Sequence, residues 1–373
     1  MKIVHLLAPA RIGGLERVVQ GLAIGQSKRN DDVTVLAVGE EPMAADHPFR
    51  VPLDLAGVKI SEVVVPPRRY RLERQTISNL LRELAPDVVH SHGSRTDVVD
   101  AEAIRGLGIP TVSTLHGWTR GSLKNRFYEY VHRRSLRRFD AVIAVSEPIA
   151  SQLTSDGVPG DRVYMIRNGF SAVAEPAPRD DARRLLDLPP DARVVGWVGR
   201  LSREKGIDVL VEAMGLIRDD DIVACVLGDG AEREREQQHA DRVGARILWK
   251  GMVPMASRLV KAFDVFVQSS RTEGTPIALL EAIAAEAPVV ATRVGGVPDV
   301  VSGSEAILVP SENPAALADA IRRVFAKPDA AAERVRRAKL RLSSEFNAET
   351  WLDRHQEIYA RAAAQRRRAA SAP

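Results

Sequence analysis

Two short stretches of the chain put cations and carboxylates where they could hold a phosphorylated, polyhydroxylated ligand. In Gly199-Arg200-Leu201-Ser202-Arg203-Glu204-Lys205-Gly206, Arg200 and Lys205 follow the apolar run Val194–Val198, which reads as a strand, and a helical pattern opens just after. Two cations at such a turn suit a diphosphate, Arg as a planar fork and Lys as a point charge. A solvated basic loop has the same composition, so this stretch is weak alone. The second is sharper. After the run Val265–Gln268 comes Ser269-Ser270-Arg271-Thr272-Glu273-Gly274-Thr275-Pro276, then a helix carrying Glu281. Thr275 is expected as the N-cap and Pro276 as the first helical residue. The free N–H groups of such a helix start form an anion site. Glu273 precedes the cap and should face the mouth of that site. Glu281 should lie roughly 7–8 Å along the axis from the helix start, at 1.5 Å per residue. Two carboxylates flanking a phosphate site can each grip a pair of hydroxyls, one set on a sugar and one on a ribose.

In the first half, Gly13 and Gly14 follow an initial strand, Ile3–Ala8, and would let a ligand approach the backbone closely. His116 and Gly117 follow the strand Thr111–Leu115. A lone histidine is more often structural, and His5, His90 and His92 are read that way.

These residues need elements to hold them at strand ends. Short apolar runs alternate with helical patterns throughout. The expected strands are Ile3–Ala8, Val33–Val38, Ile60–Val65, Asp87–His90, Thr111–Leu115 and Ala141–Val145, then Val194–Val198, Ile222–Leu227, Ile247–Lys250, Val265–Gln268, Val289–Ala291 and Ala306–Val309. Helices are expected at Asp208–Ile217 and Ala278–Ala285. Near-continuous apolar strands alternating with helices imply parallel sheets covered on both faces. At 373 residues the chain exceeds what one core usually serves. The expectation is therefore α/β, with two doubly wound Rossmann-like domains facing each other across a cleft. The division is placed at 1–170, a linker at 171–191, and a second domain at 192–346. A helix at about 347–362 should pack back onto the first domain, and the basic 363–373 tail should be disordered. Ligands of open α/β sheets bind beyond the carboxyl ends of the strands, so the cleft is the expected site.

The second half resembles the nucleotide-sugar domain of GT-B glycosyltransferases, specifically the retaining glycosyltransferase family 4. The resemblance rests on GRLSREKGID at 199–208, GDG at 228–230, KGMVP at 250–254 and SSRTEGTPIALLEAIAAEAPVVATRVGGVPDVV at 269–301. In the first half it rests on GGLERVV at 13–19, DVVHSHG at 87–93, TLHG at 114–117, AVSE at 144–147 and IRNG at 166–169. The resemblance implies that Glu273 contacts donor-sugar hydroxyls and Glu281 the ribose. It implies that Arg200 and Lys205 hold the diphosphate and that the base rests near Met252, Val253 and Pro254. Gly228, Gly274, Thr275 and Pro276 belong to the same donor site. It also places the Gly13–Gly14 loop near the phosphates and acceptor, and sends His116 to the transferred sugar. His116, Glu273, Arg200 and Lys205 are thus the expected catalytic set. Two departures stand out: Glu286 where the family has a glycine, which would strain a left-handed turn modestly, and Asn30-Asp31-Asp32 in place of a Gly-His pair.

Other readings fit less well. A dinucleotide-binding dehydrogenase needs Gly-x-Gly-x-x-Gly at the first helix, where the chain has ARIGGLE; Gly228-Asp229-Gly230 has Arg233 in the third glycine's place. A metal-dependent transferase wants Asp-x-Asp at a carboxyl end, but Asp219–Asp221 precedes its strand. No lysine stands out as a Schiff base for an epimerase or phosphorylase cofactor. No metal and no cofactor are expected, and the donor is a UDP- or GDP-linked sugar. Leaving charge would be met by Arg200, Lys205 and the helix start at Pro276. No side chain offers itself as a covalent nucleophile, so front-face attack by a hydroxyl acceptor is expected. The alternative is a catalytically silent nucleotide-sugar-binding regulator or scaffold.

The net charge is +4, and the basic surplus lies between Glu62 and Asp140. One cluster is Arg68, Arg69, Arg71 and Arg74. The other is an amphipathic helix at Leu123–Phe139, with Leu123, Phe127 and Val131 expected on one face. The acceptor (a saccharide, a lipid-linked carrier or a small molecule) is expected there, with peripheral contact to an anionic membrane as a further expectation. Aromatics are scarce, so nucleic acid is not an expected partner. The single cysteine, Cys225, and the absence of a leader pattern fit a cytoplasmic protein.

Overall fold

The computed structural model of the chain describes residues 1–10, 13–117, 123–170 and 176–370, with the backbone alone at 123–126 and 368–370. The chain divides into two compact units: Met1–Ser171 with Ala348–Pro373, and Ala172–Asn347.

The first unit holds a parallel sheet of β1 (Lys2–Leu7), β2 (Asp32–Gly39), β3 (Lys59–Val64), β4 (Val88–His92), β5 (Thr111–Leu115), β6 (Ala141–Ala144) and β7 (Val163–Met165), in the order β3-β2-β1-β4-β5-β6-β7. The second holds β8 (Arg193–Val198), β9 (Ile222–Leu227), β10 (Ile247–Gly251), β11 (Val265–Gln268), β12 (Val289–Thr292) and β13 (Ile307–Val309), in the order β10-β9-β8-β11-β12-β13. Both sheets are doubly wound, and each order reverses once, between β1 and β4 and between β8 and β11. Those reversals are where such sheets take ligands. The strands are apolar on both faces because helices cover both. Leu6, Leu36, Val63 and Val89 lie in one layer of the first unit, and Leu7, Val19, Val35 and Phe49 in another. In the second unit Trp197, Val226, Val267 and Leu317 share one core.

Several boundaries differ from the sequence expectation. β7 was not anticipated; it is only three residues long, Val163-Tyr164-Met165, and half-buried. β4 runs on to His92, because its histidines find ring partners inside the unit rather than solvent. The stretch expected as a linker contains the helix Arg179–Leu185, held by Arg183, whose guanidinium donates to Pro189 O and Ala192 O at 2.8 Å. The last helix, Ala348–Ala370, continues past residue 363, where Arg366 donates to Arg105 O at 2.6 Å. Gly169 lets this helix in close: a Cβ there would meet the Trp351 side chain at 2.5 Å. Glu286 does take the left-handed conformation, φ 60°, and Lys339 Nζ donates to its carboxylate at 2.6 Å. Asn30 is likewise left-handed, φ 67°, a conformation asparagine tolerates better than most residues. Among the described residues, no helix is long and apolar enough to cross a membrane.

Candidate functional site

In the second unit the two loops at the reversal meet through one carboxylate. β8 ends at Val198; a single 3-10 turn, Arg203–Lys205, then delivers Lys205, and Gly206 opens the helix Ile207–Leu216. Gly206 is obligatory twice over, since its φ is 63° and a Cβ would sit 2.1 Å from Ser269 O. From β11, Glu273 comes back to that turn. Its Oε1 accepts from Lys205 Nζ at 2.8 Å, Gln268 Nε2 at 2.9 Å and Ser270 Oγ at 2.6 Å, and its Oε2 lies 2.9 Å from Lys205 Nζ. The Glu273 side chain is 7% exposed and that of Lys205 31%. The carboxylate is therefore held almost rigidly, while the ammonium remains open to a ligand.

Arg200 stays exposed, and among the described residues it meets Glu204 at 3.3 Å. Gly228 follows β9 against the Gly199 carbonyl: a Cβ there would come within 1.8 Å of Gly199 O. Met252 and Pro254, after β10, are exposed and Val253 is half-buried, leaving an apolar surface at that strand end. Gly274 and Thr275 are half-buried. The helix bearing Glu281 is Ile277–Ala284, and Pro276 is its cap in extended geometry, so it starts one residue later than the Thr275 cap implied. Asp219–Asp221 does lie at the amino edge: Asp221 accepts an Arg193 fork at 2.6 and 2.7 Å.

Sequence reasoning passed over Arg271. Its guanidinium forks onto Asp208 at 2.9 and 2.7 Å, reaches Arg203 O at 2.7 Å and meets Glu312 at 2.9 Å. Partial burial pushes Asp208 upward, but the Arg271 fork and the helix's first N–H groups outweigh it and hold the carboxyl below its usual range. Arg271 thereby ties the turn carrying Lys205 to the loop carrying Glu273. The signal was available, an Arg two residues before Glu273 and an Asp opening the next helix, but spacing alone does not pair them.

In the first unit, register gathers the histidines. His5 pairs with His90 across β1 and β4, and His92 pairs with Thr114 across β4 and β5. Period-two alternation then puts His5, His90, His92 and Thr114 on one face, with His116 at the end of that row. His5 Nδ1 lies 3.0 Å from His92 Nε2, and His92 Nδ1 lies 3.4 Å from His116 Nε2. His5 Nε2 meets Gln26 Oε1 at 2.7 Å; His90 meets Tyr359 OH at 2.8 Å and Thr114 Oγ1 at 2.7 Å. Burial lowers His5 and His355 to about 4 and His116 to about 3, and pushes His90 and His92 well below the ordinary imidazole value. All are neutral at pH 7. Gly13 caps the first helix, where a Cβ would strike the Glu16 carboxylate at 2.4 Å, and Gly14 is its exposed first residue.

The basic helix spans Leu123–Leu136, and its inward face is not the expected one. Phe127 is 64% exposed, while His132 and Leu136 are buried. His132 sets the rotation by donating to Asp97 Oδ2 at 2.7 Å. Leu123's side chain lies outside the described residues. Of the arginine cluster, Arg74 turns inward and donates to Val99 O at 2.6 Å.

Two doubly wound parallel sheets in tandem, with polar loops at both reversals, define a GT-B glycosyltransferase. The chain belongs to glycosyltransferase family 4: residues 12–172 match the Glycosyltransferase Family 4 model and residues 192–327 the Glycosyl transferases group 1 model. It is 30% identical to the alpha-maltose-1-phosphate synthase of Mycolicibacterium smegmatis, over 75% of this chain and 80% of that protein. It is 28% identical to the D-inositol 3-phosphate glycosyltransferase of Paenarthrobacter aurescens, over 84% of each. Among solved structures, HepE of Anabaena in complex with UDP-glucose superposes with a TM-score of 0.84 at 22% identity, covering 96% of this chain and 99% of that one. Sucrose-phosphate synthase of Thermosynechococcus elongatus gives 0.82 at 21%, covering 98% and 100%. The protein is a glycosyl-transferring enzyme of this family, and retention of anomeric configuration is consistent with that membership.

Proposed function

We propose that the protein transfers a hexosyl group, with retention and without a metal ion, from a UDP- or GDP-linked sugar to a hydroxyl acceptor. The observation that carries this reading is the Lys205–Glu273 pair at the β8–β11 reversal, with Gln268 and Ser270 fixing the carboxylate. In this reading Glu273 holds sugar hydroxyls, while Lys205 and Arg200 hold the diphosphate. Lys205 has three N–H donors, so its two contacts to Glu273 leave one for a phosphate oxygen. Gly228 and the Gly274–Pro276 turn give the phosphates close access to backbone, Glu281 takes the ribose, and the base lies on Met252–Pro254. His116 meets the transferred sugar and the Gly13–Gly14 loop the phosphates and acceptor. As the anomeric bond breaks, negative charge gathers on the diphosphate, where Arg200, Lys205 and the start of helix Ile277–Ala284 stabilise it. The acceptor attacks from the same face and its proton passes to the leaving phosphate. UDP is the first nucleotide to try, because the similar Anabaena structure holds UDP-glucose.

Calorimetry of UDP, GDP and (as control) ADP against the wild type and an Arg200→Ala, Lys205→Ala double variant tests the donor site. Two charge-assisted contacts of about 1.5–3 kcal/mol each predict a loss of at least about 100-fold for one nucleotide. Binding of UDP or GDP unchanged in the double variant, or no nucleotide bound by the wild type, overturns the reading.

A further inference from the structure

The histidine row in the first unit does more than fill space. His5, His90 and His92 bring ligand atoms within 4.8 Å of one another, a spacing that could close on a cation. Every nitrogen of those rings already has a protein partner, however. His90 uses Tyr359 and Thr114, His5 uses Gln26 and His92, and His92 uses His5 and His116. A metal would have to break the chain of hydrogen bonds it entered. The chain itself has a direction. It starts at Gln26 Oε1, which only accepts, so His5 must donate through Nε2–H and present a bare Nδ1. His92 must then donate through Nε2–H to that nitrogen, leaving its own Nδ1 bare. His116 closes the series by donating Nε2–H to His92 Nδ1. A neutral imidazole carries one proton, so the tautomer of each ring is dictated by the ring before it.

We propose that Gln26, His5 and His92 are positioning residues that hold His116 as its Nε2–H tautomer and turn a bare Nδ1 outward as a hydrogen-bond acceptor. The inference rests on the reading of His116 as the residue that meets the transferred sugar. A fixed acceptor there selects a sugar hydroxyl that donates, and it cannot hand a proton to the departing oxygen. Gln26 Nε2 donates to Tyr359 OH at 3.2 Å. Tyr359 sits on the last helix, so an element remote in sequence touches the residue that starts the series.

The test is two-bond proton–nitrogen correlation spectroscopy on the full chain carrying ring-labelled histidine at pH 7.5, assigned by single-histidine variants. Neutral Nε2–H forms are expected at His5, His92 and His116. An Nδ1–H form at His116 in the wild type overturns the proposal, and does so whether or not any variant folds. Gln26→Leu removes the acceptor and should give His116 a mixture of tautomers. Its turnover should fall by about tenfold or more, the usual scale for losing a group that orients a working histidine. The KM for the nucleotide-sugar should change much less. A Gln26→Leu protein that keeps one tautomer at His116 overturns the role. If His116→Ala turns over normally while the wild-type tautomers are as expected, the sugar-facing reading has failed and the relay alone stands.

Discussion

Where β1 and β4 end, the first unit gathers four imidazoles, an amide and a phenol, all linked and all but His116 fully buried; where β8 and β11 end, the second unit gathers a lysine, two arginines and their carboxylates at half-exposed positions. Both arrangements solve the same problem, holding polar side chains still at a strand end. Burial decides which solution is open. Under Trp351, His355 and Tyr359 of the last helix a charge would lose its hydration, so the rings stay neutral and order themselves by tautomer. In the second unit water still reaches Lys205 and Arg200, so charge can be kept for use on a ligand. The comparison teaches that one end of this enzyme is organised by protons and the other by ion pairs.

The largest consequence is acid lability confined to the first unit. All but one of the 8 histidines lie there, the exception being His239. His5, His90, His92, His116 and His355 have folded-state pKa values below the unfolded value of 6.5. Below pH 6.5 the unfolded chain therefore binds more protons than the folded one. The stability these groups contribute is present above pH 6.5 and is lost as pH falls toward 4. Each fully shifted histidine costs about 1.4 kcal/mol per pH unit, so five approach roughly 7, comparable with a domain's whole stability of about 5–15 kcal/mol. Hydrogen exchange resolved by segment should show β1 and β4 losing protection between pH 6.5 and 5 while β8 and β11 keep theirs. Equal protection of both sheets at pH 5 would erase the distinction.

A second prediction probes the ion-pair end. Lys205→Met leaves the Glu273 carboxylate, 7% exposed, with Gln268 and Ser270 alone. The expected cost is about 1–3 kcal/mol, below the 3–5 of a fully buried pair because Lys205 is partly solvated. Glu273→Gln removes the charge and should lower turnover by about 100- to 1000-fold, the scale of one lost transition-state contact. The double variant should recover much of the stability and none of the turnover. Strictly additive stability losses in denaturant titrations would mean the two side chains are not coupled, and the pair would not organise the loop.

How much of this was legible beforehand differs between the two ends for the same physical reason. Strand-end cations and carboxylates at 200–205 and 273 are chemically unusual for a loop, so Arg200, Lys205 and Glu273 stood out in the sequence, as did the doubly wound order behind them. What the sequence did not show was that Lys205 and Glu273 touch, or that Arg271 clamps Asp208 from 63 residues away. Such pairings depend on which strands become neighbours, and β8 and β11 are neighbours only after the crossover. The histidine row was not legible, since the strand expected at Asp87–His90 stops short of His92 and His5, His90 and His92 read singly as structural. Nor were its partners Gln26 and Tyr359, 333 residues apart, because helix rotation against a sheet leaves no local trace. The inward face of helix Leu123–Leu136 was misassigned for a related cause: apolar periodicity favoured Phe127, whereas the buried His132–Asp97 bond chose the face.

The smallest expected effect sharpens the neutrality rule itself. Asp100 is fully buried in the first unit, and neither carboxyl oxygen has a hydrogen-bond partner among the described residues. Burial, and next the Glu73 carboxylate, push its pKa up to about 8. With a folded pKa above the unfolded value of 3.8, the folded state holds the extra proton. The stability linked to that proton is complete below pH 3.8 and drains away as pH rises to about 8. Asp100→Asn replaces the acid by a permanently neutral side chain of nearly the same shape. It should therefore change stability little at pH 4 relative to wild type and raise it progressively toward pH 8, by about 1–3 kcal/mol, the cost of a buried polar group left unsatisfied. Thermal unfolding of both proteins at pH 5.5, 7 and 8.5 reads the slope directly, in the range above the histidine transition and across it. A gain that does not grow with pH would mean Asp100 is ionised in the folded protein, and the first unit would then tolerate an unpaired buried charge, unlike the Glu73 carboxylate that Arg95 meets at 2.9 Å.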